Sequence, residues 1–199
     1  IMFVLRFFAG PIVHRISPLG LLACSSILAA IGLLWLGNAG TGVFVLFLAA
    51  TLYGCGKTFF WPTMLGVVSE QYPRGGALLL NAVTGVGMIA VGTLGGPYIG
   101  TIQDADLNAA VKAEAPDVHA AVAATKEGMF SKYEYVDKTK FDAISAEQRD
   151  QLTELERSTK QHVLAKIAVL PVIMFCCYAV LIAYFRAKGG YQAEVLVGH

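Results

Sequence analysis

Acidic residues are nearly absent from most of this chain. Apart from Glu70 and Glu194, every Asp and Glu falls between Asp104 and Glu156. Residues 18–37, 43–69 and 77–102 hold one basic side chain, Lys57, and no acid, and residues 167–185 hold no charge. Charged residues make up 15% of the chain and hydrophobic ones 56%, against roughly 25% charge in an average soluble domain. A soluble core has little room for four such runs. A formal net charge of +1 without a Lys/Arg cluster leaves no footprint for nucleic acid. The four cysteines, Cys24, Cys55, Cys176 and Cys177, all lie in apolar runs and lack metal-ligand spacing, so they are expected as inert, buried thiols. No cofactor or metal site is expected. The apolar runs also lack paired carboxylates, an H-E-x-x-H motif and a Ser-His pair, which argues against an intramembrane enzyme.

What is present is length. At about 1.5 Å per helical residue, each uncharged run can cross a hydrocarbon layer about 30 Å thick. The sequence predicts a polytopic, all-α transmembrane bundle. Residues 1–102 are expected to hold a partial first span, to about Val13, and full spans near 18–37, 43–69 and 77–102. Residues 103–164 form an extramembrane insert, 165–188 a last span and 189–199 a tail. The apolar run Ile1–Val13 is short for a crossing, so it is expected to be the end of a span that begins upstream, the chain being a fragment. Arg15, Arg74, Arg186 and Lys188 fall on one side of these crossings, and the Gly37–Gly42 connection carries no charge. The positive-inside rule then puts the tail in the cytoplasm of a multi-pass inner-membrane protein and the insert on the periplasmic or extracellular side.

The insert is expected to be ordered and helical. Pro116-Asp117 opens a short helix through Ala124. Ser145-Ala146-Glu147-Gln148 has the form of a capping box, and Ile144, Gln148, Leu152 and Leu155 follow at helical spacing. That helix is expected to run into the last span with a kink at Pro171. The aromatic stretch Met129–Tyr135 reads as a packed loop. Two roles stay open for the insert: a cap over the outer mouth, or a ligand- or partner-binding domain.

Three features carry a family resemblance. Gly10-Pro-Ile-Val-His14-Arg15-Ile-Ser17 resembles the G-x-x-x-D-R-x-G loop of the major facilitator superfamily of secondary transporters, with His14 where that family has an acid and Ser17 for its second glycine. Gly92-Thr-Leu-Gly-Gly96-Pro97-Tyr-Ile-Gly100 resembles the superfamily's G-x-x-x-G-P-x-x-G element, and Asn81 and Gly85 are placed on the same stripe of small residues, which favours close helix packing in lipid. The order of parts is similar to one six-helix half. With no Arg in the second full span and no acid in the loop motif, the match is to the second half, from the end of helix eight through helix twelve. The resemblance implies alternating access, with Gly10, His14, Arg15, Asn81, Gly85, Gly92, Gly96, Pro97 and Gly100 as gating or packing residues. It also implies an absent N-terminal half, a small-molecule substrate and a coupling ion, proton or sodium.

Lys57 is the most informative single residue. It lies about 18 Å along the helix from Ser69 and about 21 Å from Val43, deep enough that its charge needs a cavity or a partner. Tyr53 and Trp61 are four residues either side, with Phe60 adjacent. One reading lines a substrate cavity with these four residues and Arg6, for an anionic or sugar-like solute; the other pairs Lys57 with an acid in the absent half. The expected function is secondary transport of a small polar solute. The alternative is a membrane-anchored sensor that uses residues 104–160 to bind a ligand or partner.

Overall fold

The computed structural model describes residues 16–128, 132–137, 139–140 and 144–194. The partial span to Val13 and residues Arg6, Gly10, His14 and Arg15 lie outside them. Helices dominate, and four helical stretches are long and apolar enough to cross a membrane: Pro18–Gly37, Val43–Gln71, Pro73–Glu114 and Ala146–Ala187. The chain divides into two compact units, Ile1–Val86 with Ala165–His199, and Gly87–Leu164.

In the first unit, α1 (Pro18–Gly37) starts where Ser17 Oγ accepts from the Gly20 N–H at 3.2 Å and Pro18 supplies a pre-set first φ. Helices α2 (Val43–Thr58), α3 (Phe60–Gln71) and α8 (Val169–Ala187) all pack on α1. The buried face of α1 is rich in small residues, Ser25, Ser26, Ala29, Ala30 and Gly32. A Cβ added at Gly32 would lie 2.5 Å from Tyr53 N, and one at Gly56 would lie 2.5 Å from Ala29 N and 2.8 Å from Ser25 O. The α1 and α2 backbones therefore meet directly, which only glycine permits. Close backbone approach of this kind drives helix association in lipid, where apolar side chains gain little by leaving the solvent.

Outside that seam, large apolar side chains face outward: Val43 is 80% exposed, Phe44 73% and Leu78 83%. Gly76–Gly95 buries no residue against the described chain. Among the described residues, the exposed large apolar side chains fall in 16–98 and 169–184, and none falls in 103–164. In water such surfaces would aggregate; hydrocarbon is the solvent they match. The division into two solvents is thus carried by side-chain exposure as well as composition.

The second unit has its own core of Leu107, Val111, Val118, Val122, Val136, Ile144 and Leu152. These come from α5 (Gly96–Glu114), α6 (Pro116–Val122), the strand β2 (Lys132–Val136) and α7 (Ala146–Ile167), while β1 (Ala123–Glu127) pairs antiparallel with β2 from Ala123↔Val136 to Glu127↔Lys132. The capping box forms as its spacing predicts: Ser145 N donates to Gln148 Oε1 at 3.0 Å and Gln148 N to Ser145 Oγ at 3.3 Å.

Several expectations need correction. The third full span does not end near residue 102; helix continues to Glu114, because Asp104-Ala-Asp106 and the residues after it are sound helix formers whatever their polarity. Its contacts are local, so residues 87–102 cluster with the insert and not with the other spans. The short helix stops at Val122, and the insert is not wholly helical. Lys132–Val136, expected as a packed loop, is a strand whose Tyr133 and Tyr135 point to one face. Tyr133 Oη donates to Asp104 Oδ2 at 3.0 Å, tying the hairpin to α5; burial first, then that carboxylate, raises the phenol above its usual range.

Three breaks interrupt the long apolar helices, each just before a proline. Phe59 separates α2 from α3 three residues before Pro62, and Ala168 separates α7 from α8 three residues before Pro171. A π-helical turn, Val91–Gly95, separates α4 (Gly76–Ala90) from α5 ahead of Pro97. Proline lacks an N–H for the carbonyl four residues back, and its ring crowds that carbonyl. Threonine hydroxyls take up nearby carbonyls, Thr58 Oγ1 to Gly54 O at 2.7 Å and Thr93 Oγ1 to Ile89 O at 2.8 Å. The expected kink at Pro171 is therefore a full interruption rather than a bend in a continuous helix.

Candidate functional site

The last turn of α2 sets up the one deep cation described. Gly54, Gly56, Thr58 and Phe59 are buried, so Lys57 is turned away from the α1 seam and is exposed. Its ammonium lies 5.9 Å from the Tyr53 ring centroid, one helical turn back, within cation–π range. No acid among the described residues pairs with it. The break at Phe59 falls between Lys57 and Trp61, so the four-residue spacing no longer guarantees a shared face. Phe60 is half-buried and Trp61 is 42% exposed at the start of α3. The structure brings Tyr53 to Lys57; Phe60 and Trp61 lie beyond the break.

The glycine-proline element is differently placed. Asn81 and Gly85 lie on α4, Gly92 in the π turn, and Gly96, Pro97 and Gly100 in the first turns of α5. A Cβ at Gly85, Gly92 or Gly100 would meet nothing within 4 Å, and one at Gly96 only its own helix's Val91 O at 3.7 Å. Within this chain the stripe makes no close helix contact; that role falls to Gly32 and Gly56. The π turn inserts an extra residue into the helical count, so Asn81 and Gly85 lose the alignment with Gly96 and Gly100 that an unbroken helix would give.

Sequence reasoning missed the way the C-terminal segment folds back. Gly189 and Gly190 have φ of 98° and 108°, left-handed values that favour glycine, and they reverse the chain after α8. Tyr191 Oη then donates to Glu70 Oε2 at 2.6 Å, Gln71 Nε2 to Gln192 O at 2.8 Å and Glu194 N to Glu70 O at 2.9 Å. The Tyr191 ring meets Phe185 edge-on at 5.3 Å. This clamp joins the end of α3 to the end of α8. The paired glycines were a readable turn signal, but a landing site 121 residues away in sequence was not.

Burial, followed by the hydrogen bond to Glu70, raises the Tyr191 phenol well above its model value of 10.0. A folded pKa above the unfolded one means the contribution is complete below about pH 10 and is lost as pH climbs beyond it. The clamp should therefore be insensitive to pH across the neutral range. Tyr191→Phe removes a hydrogen bond to a charged acceptor, worth about 1.5–3 kcal/mol. Amide exchange at Glu194, whose N–H is held by Glu70 O, should then quicken at least tenfold at neutral pH. Unchanged protection would show that the hydroxyl does not hold the clamp.

Among the described residues, no group of three His, Cys, Asp or Glu side chains is placed to hold a metal ion. The four cysteines are free, and three of them are exposed rather than buried, because they face outward from α1 and α8. His119, isolated in the sequence, has its Nε2 2.9 Å from Asn108 Oδ1, a structural contact at the edge of the second unit's core. What the Lys57 region offers chemically is a fixed positive charge and aromatic faces, which suit binding of a polar or anionic group. No family model, curated protein or solved structure matches this chain.

Proposed function

We propose that this chain is one half of a secondary active transporter that moves a small polar solute by alternating access. The observation that carries this reading is a Lys–Tyr pair placed beside a break in an apolar helix of spanning length. Irregular backbone at membrane depth is tolerated where it lines a cavity or is buried in protein. In transporters of this type, interrupted helices form the site near the mid-membrane. The reading gives Lys57 the solute's anionic or hydroxyl group and Tyr53 its apolar face. Trp61, Phe60 and Arg6 would complete the cavity, and the open Asn81–Gly100 region would meet the other half across the gating interface. The remaining apolar faces would meet lipid. The clamp between Glu70–Gln71 and Tyr191–Glu194 supports an assignment of the 70–76 connection and the tail to one side, here the cytoplasmic face of the inner membrane, with residues 103–164 outside. A proton or sodium ion would drive the cycle.

Alternating access is testable without knowing the solute. With Cys24, Cys55, Cys176 and Cys177 replaced by serine, Lys57→Cys in the assembled protein should react with a membrane-impermeant thiol reagent added from either side in turn. A membrane-anchored sensor using residues 104–160 predicts labelling from one side at most, and that outcome would replace the transport reading.

A further inference from the structure

A groove in the second unit has a chemistry that the transport reading does not use. It runs between one face of α7 and the corner where α5 turns into α6, and holds about 420 Å³. That is within the usual range for a small-molecule site, roughly 300–1,000 Å³. Its floor is the unit's own core: Val118 and Leu152 are buried, with Ala115 and Leu155 packed beside them. Its rim is polar and of one sign. Glu114 comes from the end of α5 and Glu154 from α7, and no cationic side chain lines the groove.

The hydrogen bonds already made decide what the rim offers. Ser158 Oγ donates its proton to Leu155 O at 3.0 Å, so its lone pairs face outward as acceptors. Glu114 and Glu154 have no ion-pair partner among the described residues and are acceptor-only when ionised. Two carboxylates and a hydroxyl acceptor above an apolar floor select against anions. They match a donor-only head group carried on an apolar body. A sugar, with hydroxyls on every face, would leave the floor unused.

We propose that this groove is a binding site for a small organic cation, a primary ammonium on an aromatic or alkyl body. The ammonium docks between Glu114, Glu154 and Ser158, and the body covers Val118, Leu152 and Leu155. The site goes beyond the transport reading and involves none of its residues.

The test uses the full chain in lipid nanodiscs, titrated calorimetrically with 2-phenylethylammonium and with its neutral isostere 2-phenylethanol, each corrected against empty nanodiscs. The ammonium should bind at a single saturable site at about 1 mM or below, and added salt should weaken it. Glu114→Gln and Glu154→Gln should each weaken binding about fivefold. Both side chains are exposed, so the amides leave the core intact; unchanged circular dichroism and unchanged exchange at Leu152 verify that. Lys57→Ala should leave this binding unaltered, which separates it from any failure of the transport reading. Equal binding of the alcohol, undiminished binding by the double variant, or no saturable binding at all would each overturn the proposal.

Discussion

Gly56→Leu should separate α1 from α2 and cost the membrane unit most of its stability. Any Cβ at that position lies 2.5 Å from Ala29 N, 2.8 Å from Ser25 O and 3.0 Å from Ala29 Cα. All three are backbone atoms, which cannot rotate aside as a side chain would. Overpacking a well-filled interior costs about 1–3 kcal/mol and occasionally more. Here the whole helix must shift, so about 3 kcal/mol or more is expected. Gly32→Val should act alike from the facing helix, where the added atom meets Tyr53 N. Gly66→Ala is the counter-case: a Cβ there meets nothing within 4 Å, and removing a mid-helix glycine should stabilise by about 0.5–1 kcal/mol. Thermal unfolding in detergent should order these variants Gly66→Ala, unsubstituted chain, Gly56→Leu. A Gly56→Leu protein as stable as the parent would show that the seam is not formed.

Lys57→Ala should raise the half-saturating solute concentration for transport about tenfold to a hundredfold. That corresponds to losing one charge-assisted hydrogen bond, about 1.5–3 kcal/mol. Lys57→Arg should recover part of it, since charge is kept while the stem geometry changes. Tyr53→Leu should cost less, because a cation–π contact contributes about 0.5–2 kcal/mol. Initial uptake rates against solute concentration, in the assembled carrier, provide the measurement. Two other outcomes discriminate. Lost folding or expression with no change in affinity would make Lys57 a structural partner of an acid elsewhere. Unchanged affinity and unchanged folding would remove it from the site. Because Gly56 is the next residue, its leucine variant should also misplace Lys57, so the two effects are coupled and should not add.

The features legible in the sequence were those set by local chemistry. Pro18–Gly37 is recovered to the residue because a Ser-Pro cap opens it and the uncharged Gly37–Gly42 connection closes it. The capping box at Ser145 and Gln148 depends on four consecutive residues and needs no tertiary context. The proline breaks were readable in kind, since a missing N–H acts on its own helix. Pairings across the chain were not readable. Ala123-Ala-Thr-Lys-Glu127 favours helix by composition, yet it pairs with Lys132–Val136 because that strand's tyrosines need a partner and Asp104 anchors one of them; context outweighs propensity there. Gly92, Gly96 and Gly100 advertise close packing by their spacing, whereas Gly32 and Gly56 make it, one glycine on each of two helices with no repeat to mark them. The Tyr53–Lys57 pair follows from helical spacing, but placing Trp61 with it assumed a helix that Pro62 interrupts. The clamp at Tyr191 and the groove at Glu114 and Glu154 depend on long-range contacts that no window of sequence contains.

Lipid as the solvent for the four long apolar helices is the claim on which the rest depends. Fractionation tests it most directly: cells expressing the chain are broken, the membranes are washed with alkaline carbonate, and pellet and supernatant are compared before and after detergent is added. The chain should remain wholly in the washed pellet and enter solution only with detergent, because Val43, Phe44, Leu78, Val86 and Val180 are outward-facing hydrocarbon. Recovery as a monodisperse, folded protein in detergent-free buffer would contradict the account.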